Sequence, residues 1–275
     1  MKRILSLVAI LATASFGVAA LAAPLPFGST NIVVYRVGVR GSGLNITNVG
    51  NQVFMDEFYT GGSGQIGNDQ IRQSIAMPTN WFGGSAPFVA IGTDAAEGQM
   101  TLSKDGRFIV ATGYAGDLGL TNAYNLGSVS ASAAPHVVAL VGGNGFIDTT
   151  TLQTNNPTAT TYDGIRSAAS VDGTNLWFSG NVFGLRYTTR GPTNTATQLS
   201  TDVLNVRSIN IFGSPNPNQL YFDTGATSTT NRLCTAGPGL PTTAGQVYAN
   251  IPGFLTNSGS PYAFCFVTLG GGAVL

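Results

Sequence analysis

Short apolar runs alternate with turns rich in Gly, Asn, Ser and Pro along the chain after residue 30. The runs are mostly β-branched or aromatic, and none has the spacing of a helical stripe, so the pattern is typical of strands joined by turns. It predicts an all-β domain built largely from antiparallel pairs. The predicted strands are Asn31–Gly38, Gln52–Tyr59, Gln70–Met77, Phe88–Gly92, Arg107–Thr112, His136–Val141, Gly145–Thr149, Leu176–Gly180, Gly184–Thr188, Val206–Phe212, Gln219–Thr224 and Ala263–Leu269.

A weak internal repeat runs through these strands. Ser103-Lys-Asp-Gly and Ser170-Val-Asp-Gly each precede a short apolar run that closes on a glycine, Gly113 and Gly180, and a looser copy closes on Gly225. Asp-Gly suits a tight turn with positive φ, and a strand-ending glycine allows close backbone approach. The closing glycines are 67 and 45 residues apart, which is typical of four-stranded propeller blades. The sequence therefore predicts a β-propeller-like fold, with a β-sandwich or barrel and a parallel β-helix as the alternatives.

The N-terminus has the pattern of an export signal. Lys2 and Arg3 precede the apolar segment 4–19, and Ala20-Leu-Ala ends it with small residues two apart. This predicts a signal peptide over 1–22, cleaved after Ala22, with a retained membrane anchor as the alternative. Residues 23–30 are then a linker and 31–275 a single domain. We expect the protein in the periplasm, at the cell surface or in the medium.

Composition excludes several functions. Twelve Lys and Arg balance twelve Asp and Glu, and only 9% of residues are charged, so we expect no nucleic-acid partner. One His and two Cys cannot form a conventional structural zinc site. His136 is alone and no Gly-x-Ser-x-Gly elbow occurs, which argues against a catalytic triad. We expect no cofactor, no metal and no stable membrane anchor.

The two cysteines, Cys234 and Cys265, would meet an oxidising compartment after export. A disulfide between them would close a loop of about 30 residues and stabilise the fold by roughly 3–4 kcal/mol. The alternative is two unpaired thiols, each packed as a small apolar side chain.

Arginines at like places are the candidate ligand-binding residues. Arg166 and Arg207 lie in Ile-Arg-Ser and Val-Arg-Ser, and Arg36 lies in Tyr-Arg-Val-Gly. Inner strand ends of a propeller converge on a channel, where guanidinium groups suit carboxylates or sulfates. Glu97 is the fourth candidate. The alternative is that each arginine ties its strand to a neighbour through backbone carbonyls or a nearby Asp.

Several segments resemble a group of exported bacterial β-propeller-like proteins, some of which carry C-terminal sorting signals. The resemblance rests on Ile32-Val-Val-Tyr-Arg-Val-Gly, Val53-Phe-Met-Asp-Glu-Phe-Tyr, Glu97-Gly-x-Met-Thr-x-Ser-x-Asp-Gly-Arg, Gly239-Leu-Pro-Thr-Thr-Ala-Gly-Gln and Ser260-Pro-Tyr-Ala-Phe. It implies the propeller-like fold but no catalytic residues. Members of the group usually continue past the segment that matches Phe264–Leu269, so the resemblance also implies either that the closing blades are absent or that the chain is truncated at its C-terminus.

These features favour an exported, non-enzymatic protein that binds an extracellular ligand such as a glycan or another polymer. The alternative is an extracellular carbohydrate hydrolase or lyase, with Glu57 or Glu97 as acid or base and a second carboxylate nearby. A third hypothesis is self-association through open sheet edges. Trp81 and Phe82, in a Pro- and Gly-rich loop, are a candidate carbohydrate platform, with core packing as the alternative.

Overall fold

The computed structural model describes residues 23–43, 46–60, 70–121, 126–129, 132–154, 163–192, 195–213, 218–225, 232–253, 259–269 and 272–274. The predicted signal peptide, 1–22, lies outside the described residues. The described residues form eighteen strands and one short 3-10 turn, with no α-helix among them. None of their segments is a helix of the length and apolarity needed to cross a membrane.

The first eight strands form one antiparallel sheet, called sheet 1. Its strands are β1 (Ile32–Val37), β2 (Gly50–Phe58), β3 (Ile71–Ala76), β4 (Val89–Ile91), β5 (Thr101–Leu102), β6 (Phe108–Tyr114), β7 (His136–Gly142) and β8 (Ile147–Gln153). Their order is β1-β2-β4-β6-β7-β8, while β3 pairs with β2 and β5 pairs with β6. The long strand β2 therefore links the N-terminal hairpin to the β6–β8 meander.

The remaining strands form three smaller antiparallel sheets. Sheet 2 contains β9 (Ile165–Ser170), β10 (Asn175–Gly180), β11 (Leu185–Thr189) and β12 (Thr197–Gln198). Sheet 3 contains β13 (Val206–Phe212), β14 (Gln219–Thr224), β15 (Leu233–Ala236) and β16 (Tyr248–Asn250). Strands β17 (Val267–Leu269) and β18 (Gly272–Val274) pair with each other. In sheets 2 and 3, each strand pairs with the next strand in sequence.

The all-β, antiparallel prediction is confirmed, and each of the twelve predicted strands overlaps an observed strand. The last predicted strand began four residues too early, because β17 begins only at Val267. Six observed strands were not predicted: β5, β9, β12, β15, β16 and β18. Five of them are only two to four residues long, which is too short to form a recognisable apolar run. Strand β9 is longer but rich in Ser and Ala, so it lacks a β-branched apolar run.

The two Ser-x-Asp-Gly segments form similar turns. Asp105 accepts a hydrogen bond through Oδ1 from the amide of Arg107 (3.1 Å), and Asp172 accepts the matching bond from Thr174 (2.9 Å). The glycine after each aspartate has a φ of +75° or +83°, which an L side chain adopts only with strain. These turns connect β5 to β6 and β9 to β10.

The closing glycines of the three copies lie at crowded places. A Cβ on Gly113 would lie 2.8 Å from the Phe88 ring, and one on Gly180 would lie 2.1 Å from the Phe183 ring. A Cβ on Gly225 would lie 2.4 Å from the Arg207 guanidinium. Each glycine is thus required by a side chain packed directly against the backbone, as the sequence predicted.

Both faces of sheet 2 are buried. On β10, Leu176 and Phe178 pack into a core shared with β4, β6 and β7. Trp177, between them in sequence, points to the opposite face and packs into a core shared with sheet 3, as strand alternation requires. Sheet 2 therefore lies between sheets 1 and 3, and the three form successive layers.

Candidate functional site

The candidate site is built around Arg166 and Arg207, the second residues of the first strands of sheets 2 and 3. Each backbone carbonyl accepts a hydrogen bond from the preceding sheet: Thr112 Oγ1 donates to Arg166 (2.9 Å), and Ser179 Oγ donates to Arg207 (2.6 Å). Thr112 and Ser179 each lie seven residues after the aspartate of an Asp-Gly turn. The two arginines are therefore held in the same way at successive sheet junctions.

The side chain of Arg166 reaches towards the next sheet. Its Nη1 donates to Asn205 Oδ1 and to the Val206 carbonyl (3.5 Å), while Nη2 donates to Asn181 Oδ1 (3.2 Å). The guanidinium therefore bridges sheet 2 and the start of sheet 3.

The Arg207 side chain extends in the same way towards the segment that precedes β17. Its Nη1 donates to Ser260 Oγ (2.7 Å) and to the carbonyls of Ser260 (3.1 Å) and Pro261 (3.0 Å). The guanidinium lies 3.7 Å from the centroid of the Tyr262 ring, a cation–π contact. Both arginines thus tie their strand to the following segment, as one of the two sequence interpretations expected.

These ties give neither arginine an ion pair among the described residues, although Asp94 and Glu97 act on Arg166 from farther away. Arg166 and Arg207 are 6% and 8% exposed, yet in the described part of the chain neither has a carboxylate oxygen within 4.0 Å. The Nε atom of each also has no hydrogen-bond partner there. Burial, and then repulsion from Arg207, lower the pKa of Arg166. A buried guanidinium stays protonated and is costly without a counter-charge.

Glu97 lies close enough to Arg166 for the two charges to act on each other. Tyr114 donates its hydroxyl to Glu97 Oε1, and the Ile91 amide donates to Oε2 (3.4 Å). Burial raises the pKa of Glu97 to about 8, with a further contribution from Asp94. At neutral pH this carboxyl group is therefore mostly protonated.

Asp223, on β14, is the second carboxyl group near the arginines. It is fully buried, and its Oδ1 accepts a hydrogen bond from the amide of Ser208 (2.8 Å). Its Oδ2 has no partner among the described residues. Burial raises the pKa of Asp223 to about 7, against the attraction of Arg207 and Arg166.

Gln99 is joined to Arg166 through the backbone. Gln99 lies four residues before Ser103, as Arg166 lies four before Ser170, and its backbone N–H donates to the Arg166 carbonyl (3.2 Å). Its Oε1 has no partner in the described chain. We call Arg166, Arg207, Glu97, Asp223 and Gln99 the arginine cluster. At pH 7 Glu97 is mostly protonated and Asp223 is about half ionised, so the two arginines leave this cluster net positive and suited to an anionic group.

Arg36 does not join the arginine cluster. Its Nε lies 2.5 Å from Asp56 Oδ2, its guanidinium lies 4.1 Å from the centroid of the Phe54 ring, and Nη2 donates to Ser74 Oγ (3.1 Å). These partners belong to the β1–β2–β3 part of sheet 1, so Arg36 has a structural role there.

Glu57 is also held by structural partners. Its carboxylate accepts hydrogen bonds from the Gly28 amide (2.6 Å) and from the side chains of Asn31, Arg72 and Gln73 (2.7 Å each). These contacts fasten residues 23–31 to sheet 1 and lower the pKa of Glu57 although burial opposes this. Glu57 is therefore a structural anion.

His136 is a core residue, as the sequence favoured. It is 4% exposed, its Nε2 lies 3.0 Å from the Asp163 carbonyl oxygen, and its ring packs against Tyr114 and Phe183. Burial lowers its pKa to about 4, so the ring is neutral at pH 7.

The cysteines are free thiols in the structure. Cys234 is buried on β15 and donates to Asn250 Oδ1 (3.2 Å), whereas Cys265 is exposed. Burial raises the pKa of Cys234 to about 11, so it is a poor nucleophile. A disulfide between them stays a prediction for the oxidised, exported protein.

Two other features bear on ligand binding. A pocket of about 410 Å³ lies between residues 27–33 and the β5–β6 hairpin, lined mainly by Phe27, Met100, Leu102 and other apolar residues. No member of the arginine cluster lines it. Trp81 and Phe82 are exposed, at 57% and 87%, as the platform hypothesis requires.

The sequence pointed to Arg166, Arg207 and Glu97 but missed Asp223. Asp223 stands in Leu-Tyr-Phe-Asp-Thr, and a lone acid inside an apolar strand was the available signal.

Comparisons with protein-family models, curated proteins and solved structures found no match for this chain. The resemblance to exported propeller-like proteins therefore stays a prediction.

Proposed function

We propose that this is an exported, non-enzymatic binding protein whose sheets are arranged as successive blades of a propeller-like fold. The layered packing supports this arrangement, because sheet 2 has a different sheet on each face, whereas a two-layer sandwich covers only one face of each sheet. The matching bonds from Thr112 and Ser179 at successive junctions also support it.

The observation that carries the binding role is the pair of buried guanidinium groups without a counter-charge. The chain has few charges, and the described residues place two arginines in adjacent, poorly solvated positions. An anionic ligand would supply the missing charge. Guanidinium groups bind carboxylate and sulfate through paired N–H donors, so the ligand we propose is an extracellular glycan that carries uronate or sulfate groups.

The proposal is tested by binding assays with sulfated and uronate oligosaccharides and with a neutral glycan of the same length. The wild-type protein should prefer the acidic ligands, and Arg166→Gln and Arg207→Gln should each weaken their binding by at least about tenfold, since charged hydrogen bonds contribute about 1.5–3 kcal/mol. Arg190→Gln is the matched control, because Arg190 is a partly exposed arginine paired with Asp148.

Thermal melting of each variant separates loss of the ligand from loss of the fold. Arg207→Lys keeps the charge and removes the planar fork, so it should bind more weakly while remaining cationic. Equal binding of neutral and acidic glycans would refute the arginine site. If that binding disappeared in Trp81→Ala, the exposed aromatic loop would be the site instead.

A glycoside hydrolase or lyase is the second candidate function, and Glu97 is the reason to test it. Its raised pKa suits a general acid, and Asp94 lies near enough to contribute to that shift. Release of new reducing ends from an acidic polysaccharide, abolished in Glu97→Gln, would favour catalysis. Binding without product would favour the proposed binding role.

A further inference from the structure

The pocket between residues 27–33 and the β5–β6 hairpin has no part in the proposed function. Its volume is about 410 Å³, which is typical of a site for a small molecule, since such sites span about 300–1,000 Å³. No member of the arginine cluster lines the pocket. Its occupant is therefore a question separate from the acidic glycan.

Apolar side chains form most of the pocket wall, and aliphatic side chains outnumber phenyl rings in it. The aliphatic members are Val33, Met100, Leu102, Ile109 and Val141, and the rings are those of Phe27 and Phe108. Leu102 is 61% exposed. Water beside such a wall finds few hydrogen-bond partners, so an alkyl group that displaces it gains the free energy of apolar burial.

Hydrogen bonds fasten both sides of the pocket. On the N-terminal side, the Phe27 amide donates to the Gly143 carbonyl (2.7 Å), and the Glu57 carboxylate holds the same segment to sheet 1. On the hairpin side, Thr101 Oγ1 donates to the Ala168 carbonyl of sheet 2 (2.7 Å). The pocket is thus formed before a ligand enters, which lowers the ordering cost of binding.

Arg107 gives the pocket its charge, because it is the one charged residue among the described residues that line it. Its Nε pairs with Asp105 (2.5 Å), which offsets part of the charge, and its Nη2 donates to the Asp172 carbonyl (3.0 Å). Its Nη1 makes no hydrogen bond within the described chain. A guanidinium with a spare donor beside an apolar wall suits a ligand with an apolar body and an anionic head.

We propose that this pocket binds a medium-chain fatty acid, with the alkyl chain against the aliphatic wall and the carboxylate at Arg107. The volume admits a molecule of that size and excludes a polymer. The proposal is independent of the acidic glycan, because the pocket and the arginine cluster share no residue.

Titration calorimetry at pH 8 with octanoate, decanoate and 1-octanol tests the proposal. Affinity should rise by at least about fivefold from octanoate to decanoate, since removal of one CH₂ group from water strengthens binding by about fourfold. Octanoate should bind about threefold more tightly than 1-octanol, because a partly exposed ion pair makes a modest contribution.

Two variants with matched controls locate the ligand. Leu102→Gln should weaken decanoate binding by at least about threefold, whereas Leu118→Gln, which changes an exposed leucine outside the pocket, should not. Arg107→Gln should remove the preference for octanoate over 1-octanol. Arg190→Gln should keep it, because the Arg190 guanidinium also lies over the Phe108 ring, at 5.7 Å against 5.4 Å for Arg107, but Arg190 does not line the pocket.

Affinity that does not increase with chain length, or that Leu102→Gln leaves unchanged, overturns the proposal. An unchanged preference in Arg107→Gln, or tighter binding of 1-naphthoate than of decanoate, overturns the ligand class. Dimerisation that is lost in Leu102→Gln, without binding of either fatty acid, would place a second copy of the chain on the pocket instead. Arg166→Gln should bind decanoate as the wild type does, so a failure of this site leaves the proposed glycan site standing.

Discussion

At the residue scale, adjacent acids in this protein serve separate structures. Asp56 and Glu57 point to opposite sides of β2, as alternation requires. Asp56 bonds Arg36 and Ser74, whereas Glu57 bonds Arg72 and the start of the domain. Both are buried, so each depends on its own partners for the charge it carries.

Glu57→Gln should destabilise the protein by about 2 kcal/mol, because the partly exposed Arg72 and the Gly28 amide both lose a charged acceptor. Urea unfolding at pH 7 measures this. The lowered pKa of Glu57 means that its contribution is present above the unfolded pKa and is lost as the pH falls through the folded one. The difference from wild type should therefore shrink below about pH 4.

Asp105→Asn is the control for that measurement. Asp105 pairs with Arg107, whose side chain is 63% exposed, and Asn can still accept the turn hydrogen bond. We expect a change below about 1 kcal/mol. An equal loss in the two variants would contradict the structural role assigned to Glu57.

Sequence reasoning assigned Arg36 the same two interpretations as Arg166 and Arg207, and the structure ties Arg36 to Asp56, as the second of them expected. Arg166 and Arg207 occupy like positions because each is the second residue of the first strand of its sheet. Arg36 shares only its residue type with them, and its bond to Asp56 depends on the register of β1 on β2. Register and long-range burial, which also place Asp223, are set by tertiary packing that a single sequence does not display.

At the scale of elements, the Asp-Gly turns differ in what surrounds their glycines. Gly106 has positive φ with open space around it, so Gly106→Ala should cost about 1 kcal/mol from backbone strain alone. A Cβ on Gly173 would lie 2.8 Å from the Phe108 ring. Gly173→Ala should therefore cost about 3 kcal/mol, since strain and overpacking add. Thermal unfolding of the pair checks this.

A larger loss of stability in Gly106→Ala than in Gly173→Ala would show that Phe108 does not pack on the β9–β10 turn.

The same turns show why most of the fold could be predicted from the sequence, because Asp, Gly and alternating apolar residues act locally. Strand β9, at the edge of sheet 2, could not be predicted, because Ile-Arg-Ser-Ala-Ala-Ser lacks a strand pattern. Its small side chains are needed where β6 and β13 approach closely.

At the scale of the molecule, buried ionisable groups set the pH dependence of stability. Burial raises the pKa of Glu97 to about 8 and those of Asp163 and Asp223 to about 7. Each of these groups stabilises the fold fully below its unfolded pKa, and the contribution is lost as the pH rises towards the folded value. The lowered pKa of His136 acts in the opposite sense, so that its contribution is lost as the pH falls from 6.5 towards 4.

The three carboxyl groups together change the free energy of unfolding more than the single imidazole does. The melting temperature should therefore fall between pH 5 and pH 8. Differential scanning calorimetry across that range measures it. Asp163→Asn, outside the arginine cluster, should make the decline shallower. A melting temperature that increases steadily from pH 5 to 8 would contradict the burial of these acids.

Sheet 2 has consequences for how this chain can come apart. Its strand β10 gives Leu176 and Phe178 to one core and Trp177 to the other, so that water is excluded from both sides of a single layer. Separation of sheet 1 or sheet 3 would expose one face of sheet 2 to water. The two sheets that remained packed would then carry an uncovered apolar surface. We therefore expect the three sheets to unfold together. A substitution that destabilises sheet 1 should also destabilise sheet 3, because sheet 2 packs against both.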